Sequence, residues 1–103
     1  MIDNKRFDTD TLEKIFGCRM SYWLGLGEVR YAFFMLGQPC VITLEDGMND
    51  MIIRFHGKDR EAARDMATRY LKQWAEAEGL DVDVSNYNGD DNTLLLVATF
   101  YEK

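Results

Sequence analysis

The stretch DREAARDMATRYLKQWAEAEG, residues 59–79, decides the architecture, because its own spacing dictates a structure. With successive residues set about 100° apart, Ala63, Met66, Ala67, Tyr70, Leu71, Trp74 and Ala77 fall within about 140° of one another, the stripe of an amphipathic helix. Asp59 stands at the N-cap, Glu61 lies in the positive first turn, and Gly79 offers the left-handed residue that ends many helices. Ordering about twenty residues costs roughly 1–2 kcal/mol each, whereas each large buried side chain contributes about 1.5–3 kcal/mol. The helix therefore needs a sheet to lie on.

Outward from the helix, the chain supplies that sheet. On its N-terminal side, residues 29–36 (VRYAFFML), 40–45 (CVITLE) and 51–56 (MIIRFH) are rich in β-branched and aromatic residues and are separated by Gly37-Gln38-Pro39 and by the turn from Asp46 to Asp50. On its C-terminal side, residues 80–87 (LDVDVSNY) alternate and residues 93–101 (TLLLVATFY) form a last strand, with Asn88-Gly89 opening a loop that runs on through Asn92. Near the start, Asp10 and Glu13 form a D-x-x-E capping pattern before Leu12, Ile15 and Phe16, predicting a short helix over 11–16 that ends at Gly17. Residues 1–8 read as loose; Tyr22, Trp23, Leu24 and Leu26 either extend the helix or form a short strand over 19–24, with Gly17, Gly25 and Gly27 breaking the pattern. The order is α-(β)-β-β-β-α-β-β, a two-layer α+β domain with a mainly antiparallel sheet of five or six strands, one long helix over about 59–78 and a short N-terminal helix.

Five strands span about 24 Å at their usual spacing, while one helix covers about 10 Å. Residues 29–36 place Tyr31, Phe33 and Met35 against Ala32, Phe34 and Leu36, and residues 94–101 place Leu94, Leu96 and Phe100 against Leu95, Val97 and Tyr101, so both strands are apolar on both faces. Three covers for the second face follow: first the segment 11–26, then a second copy of the chain, then a foreign partner.

A chain of 103 residues is one domain, and 47% hydrophobic with 13% aromatic residues excludes disorder. No apolar run approaches the eighteen or so residues of a membrane span, and MIDNKRFDTD lacks the apolar core of a secretory signal, so a cytoplasmic protein is expected. Cys18 and Cys40 make no disulfide framework and no zinc pattern, and are read as reduced and buried. No cofactor or metal is expected. Of the net charge of −6, the segment 74–103 carries −6 by itself, and the rest of the chain balances.

Several constellations are weighed and set aside. His56 is the single histidine and would have to serve any Cys–His chemistry with Cys18 or Cys40, yet no nucleophile motif flanks these residues, so no enzyme is predicted. The acidic turns 45–50 and 88–92 lack the ligand spacing of a calcium loop, and Gly25 with Gly27 gives only G-L-G-E, short of a dinucleotide fingerprint. Lys58, Arg60, Arg64, Arg69 and Lys72 scatter around the helix among acids, with Asp65 and Arg69 spaced as an i, i+4 pair. The order of elements from 11 to 78 is loosely like a double-stranded-RNA-binding domain, but the acidic charge speaks against direct nucleic-acid contact.

What remains is the acidic end: Glu76, Glu78, Asp81, Asp83, Asp90 and Asp91, with Tyr87 and Tyr101 among them, expected to form one partner-binding surface. That composition suits a non-enzymatic domain that engages a protein partner with a basic surface, for example as an inhibitor of a nucleic-acid-handling complex. In size and charge the chain resembles immunity proteins and phage-encoded inhibitors of host defence, including anti-CRISPR proteins, as a class. The alternative is a small-molecule-binding or regulatory domain with a pocket between sheet and helix lined by Trp23, Phe34, Tyr70 and Trp74, and a homodimer is a further possibility.

Overall fold

The computed structural model describes residues 1–103. A 3₁₀ turn at Asn4–Arg6 leads into α1 (Thr9–Phe16), then β1 (Ser21–Gly25), β2 (Glu28–Met35), β3 (Gln38–Glu45), β4 (Asp50–Phe55), α2 (Arg60–Ala77), β5 (Leu80–Asn88) and β6 (Leu94–Glu102). The strands form one six-stranded antiparallel sheet in the order β1-β2-β3-β4-β6-β5. The first four make a meander. After α2 the chain skips a position, and β6 returns to fill the gap between β4 and β5. The α+β class and the order of elements match the sequence reading, and no helix is long and apolar enough to cross a membrane.

α2 lies where its stripe predicts. Ala63, Ala67, Leu71 and Ala75 are fully buried, with Met66, Tyr70 and Trp74 packed beside them. Three alanines, 63, 67 and 75, on one i, i+4 stripe with Leu71 let the helix axis sit close to β4, β6 and β5. Ala77, expected in the stripe, is exposed because the helix is already ending there, and Ala75 takes the buried place. Gly79 adopts φ +72° as expected of a helix terminator. The spaced pair Asp65 and Arg69 does not close: the ion pairs within 4.0 Å are Arg6–Glu78 and Arg30–Glu28.

The N-terminal segment departs most from expectation. Residues 1–8 are tied down: Ile2 N–H donates to Phe100 O at 2.9 Å, and Phe7 packs its ring 5.0 Å from Phe100 and 5.6 Å from Trp74. Helix α1 begins at Thr9, capped by Asp8 Oδ1 accepting from Thr11 N–H at 2.9 Å. Glu13 does not close a capping box with Asp10; its Oε2 reaches forward to accept from Met20 N–H at 2.8 Å. Leu12, Ile15 and Phe16 then turn into the same layer as α2, Phe16 stacking on Phe33 with ring centroids 4.9 Å apart. The segment 11–26 therefore does not cover the second face of the sheet. The inner side of β2 and β3 carries Tyr31, Phe33, Met35, Cys40, Ile42 and Leu44, and α2, which packs chiefly on β5 and β6 and touches β2 only in part, leaves room there for α1.

Candidate functional site

With both helices on one side, the other face of the sheet is open. Strand alternation sends Ala32 and Phe34 from β2, Val41 and Thr43 from β3, Ile52 and Arg54 from β4, and Leu95 and Val97 from β6 toward it. The pairing register lays them in rows across the strands. One row runs Ala32, Val41, Arg54, Leu95, Tyr87; the next runs Trp23, Arg30, Thr43, Ile52, Val97, Ser85. Ala32, Val41, Ile52, Leu95 and Val97 are half-buried by their neighbours, so the middle of the face is an apolar band. Around it stand exposed aromatic rings: Trp23, Phe34 at 67% exposure, Tyr87 and Tyr101.

The acidic residues divide between this face and other places. Asp81 is paired directly with Tyr101 and Asp83 with Thr99, which puts both carboxylates on the open face at the β5 edge. Asp50 joins them from β4, its Oδ1 accepting from the buried Thr99 hydroxyl at 2.7 Å. Tyr87 lies further along β5 on the same face, opposite Leu95. Glu76 and Glu78 instead sit at the end of α2 in the helix layer, where Glu78 Oε1 meets Arg6 at 3.4 Å. Asp90 and Asp91 occupy the β5–β6 turn, about 26 Å from Asp81 along the strand. The eight residues named from the sequence thus do not form one surface. Asp81, Asp83, Tyr87 and Tyr101 share the open face.

Residues that sequence reasoning did not assign to the site complete it: Trp23, Phe34, Arg54, Asp50 and the band from Val41 to Val97. Their signal was present in the two-faced strands 29–36 and 94–101, and extends to Val41 and Ile52 in the strands between. Arg54 stands in the apolar row with no carboxylate within 4.0 Å, whereas Arg30 is held by Glu28, whose carboxyl that hydrogen bond keeps below its ordinary range. The pocket anticipated between sheet and helix does not exist as drawn. Trp23 and Phe34 project from the open face, while Tyr70 and Trp74 pack on the inner one, Trp74 edge-on to Phe100 at 5.4 Å.

Neither thiol weighed for nucleophilic chemistry is activated. Cys40 is 1% exposed, faces the helices opposite Phe55, and burial pushes its thiol up to about 12. Burial and then Glu13 raise Cys18 as well, so both sulfurs carry protons at neutral pH. His56 follows β4, its backbone N–H donating to Pro39 O at 2.9 Å. No three His, Cys, Asp or Glu side chains converge as a metal site. Comparison with protein-family models, characterised proteins and solved structures gives no match for this chain.

Proposed function

We infer that the helix-free face of the sheet is a docking surface for a protein partner with a basic contact region, and that the domain works by occupying that partner rather than by catalysis. The observation that carries this reading is the composition of the open face: a half-buried apolar band ringed by Trp23, Phe34, Tyr87 and Tyr101, with Arg54 unpaired inside it. Interface hot spots are enriched in Trp, Tyr and Arg, and exposed apolar patches of this kind on small proteins are commonly binding sites. Asp81 and Asp83, free at the β5 edge, favour a positively charged counterpart and would speed its approach at low salt. Occlusion of a basic nucleic-acid-handling protein is the role this combination serves best.

The test compares capture of one purified partner by the wild-type chain, by Trp23→Ala/Phe34→Ala and by Asp81→Lys/Asp83→Lys, with Glu76→Lys as the control on the helix layer. The two face variants should lose binding, the control should keep it, and all should melt at similar temperatures because the altered side chains are exposed. Binding should also shift Trp23 emission to shorter wavelength. Equal binding by all variants, or a chain that pairs only with its own copy in light scattering, would reject the reading.

A further inference from the structure

The sheet has two open edges, β1 and β5, and they are built differently. The β5 edge carries Asp81 and Asp83, charges of the kind that keep edge strands from pairing with another chain. The β1 edge, Ser21–Gly25, has no charge and no proline, and every one of its residues is exposed. Trp23, opposite Arg30, stands on the helix-free face. Tyr22 and Leu24, opposite Tyr31 and Val29, stand on the helix side, where Tyr22 lies 6.0 Å from the Tyr31 ring yet remains 58% exposed, and Leu24 is 77% exposed. The strand is therefore apolar on both faces and covered on neither.

The register of the β1–β2 hairpin fixes which backbone groups point outward. Gly25 and Glu28 close a two-residue turn at Leu26 and Gly27, and such a closing pair is hydrogen-bonded. Pairs along antiparallel strands alternate, so Trp23 also turns its N–H and C=O toward β2, while Tyr22 and Leu24 turn theirs to the open edge. No backbone bond from a turn or loop engages them. Unpaired donors and acceptors flanked by apolar side chains are the template that another strand needs.

We propose that β1 pairs antiparallel with β1 of a second copy about a two-fold axis at Trp23, joining the two sheets into one. Tyr22 then lies opposite Leu24 of the copy, the outward backbone groups of each such pair exchange N–H···O bonds, and the two Trp23 side chains meet across the axis. Charge favours this occupant. Arg19 precedes the strand and Glu28 follows its turn, so the reversal of direction brings the cation of one copy toward the anion of the other. The −6 carried by residues 74–103 lies on the end of α2 and on β5 and β6, and the β5 edge stands five strand spacings, about 24 Å, from the seam, beyond the screening length of about 8 Å. Pairing through β5 would instead bring Asp81 and Asp83 of the two copies together, and a basic partner finds no carboxylate on β1. The dimer keeps both helix-free faces on one side, continuous through the Trp23 pair, and it does not rest on the docking reading.

Sedimentation equilibrium of the full chain from about 5 µM to about 1 mM should show the mass rising from monomer to dimer, with half-association at roughly 10–100 µM, the strength of a small interface. Leu24 points to the helix side, so Leu24→Lys leaves the docking residues alone and should raise that concentration about tenfold or more. Trp23→Cys in a Cys18→Ser background should form a disulfide-linked dimer with oxidised glutathione, because residue 23 faces its own copy at about 4.5 Å between Cα atoms. Ser21→Cys, exposed on the same strand and face, lies roughly 14 Å from its copy in this register and should not crosslink. Equal crosslinking of Ser21→Cys, or a dimer that survives Leu24→Lys unchanged, would overturn the pairing. A chain that stays monomeric at about 1 mM would overturn it as well, and leave the edge to an extended segment of another protein.

Discussion

Gln38 Oε1 accepts the backbone N–H of Asp59 at 3.2 Å, so the long helix is capped at its N-terminus by a side chain from β3. Asp59 occupies the N-cap position but makes no side-chain cap bond, with φ −101° and ψ 34°. The same Gln38 donates through Nε2 to Leu36 O at 3.0 Å, tying the β2–β3 turn to the helix start. Gln38→Ala should therefore cost about 1 kcal/mol, while Asp59→Ala should stay within about 0.5 kcal/mol. Gly57→Ala should cost more than either, because Gly57 has φ +98° and an added Cβ collides with the Gln38 carboxamide. Urea unfolding of the three variants checks the ranking.

Phe7 anchors the first residues, at 2% exposure between the rings of Trp74 and Phe100. Phe7→Ala should destabilise the domain by about 3–5 kcal/mol, the range for emptying a buried aromatic position. A loss below about 1 kcal/mol in chemical denaturation would mean that the segment detaches in solution.

Leu36 is a bulky residue in left-handed backbone, φ +53°, followed by Gly37 at φ +73° in the two-residue turn between Met35 and Gln38. A non-glycine residue there costs about 1 kcal/mol or more, and Asn adopts the conformation far more readily. Leu36→Asn should stabilise the protein by about 0.5–1 kcal/mol and raise Tm by roughly 4–8 °C per kcal/mol in scanning calorimetry.

Cys40 couples stability to alkaline pH. Its thiol titrates near 9.0 when unfolded and is pushed up to about 12 by burial in the fold. Between these values the unfolded chain binds fewer protons than the folded one, so stability falls as pH rises; below 9.0 the contribution is constant. Unfolding midpoints measured across pH 8–10.5 should decline above about pH 9, and Cys40→Ala should remove part of that slope. In the folded state Cys40 should resist iodoacetamide at pH 8 and react once the chain is denatured.

Much of the fold was legible because it rests on local patterns. The α2 stripe, Gly79 as terminator and the strands around Ile42, Ile53 and Val82 follow from spacing and from residue shape. The extent of the loop at 88–92 was legible; its backbone geometry was not. The sequence reads a loop opened by Asn88-Gly89 and running through Asn92, as the strands ending at Asn88 and starting at Leu94 show, but not that the left-handed residues are Asp91 and Asn92 or that Gly89 is needed because an added Cβ would strike the Thr93 hydroxyl. The candidate site was half legible: Asp81, Asp83, Tyr87 and Tyr101 share a face by alternation within one hairpin, which the sequence shows. That Trp23 from the far edge lies in a row with Ile52, Val97 and Ser85 depends on the register of five strand pairs.

By itself the sequence determined the two helices, the five strands from β2 onward, and that strands such as β2 and β6 carry apolar side chains on two faces. Periodicity is a local property, and it separates two faces without saying which one is covered. Tertiary structure decided that. Phe7 and Phe16 draw the N-terminal segment onto the inner face, where Phe33, Phe100 and Trp74 pack against their rings. The band from Ala32 to Val97, with its aromatic rim, is left open as a result.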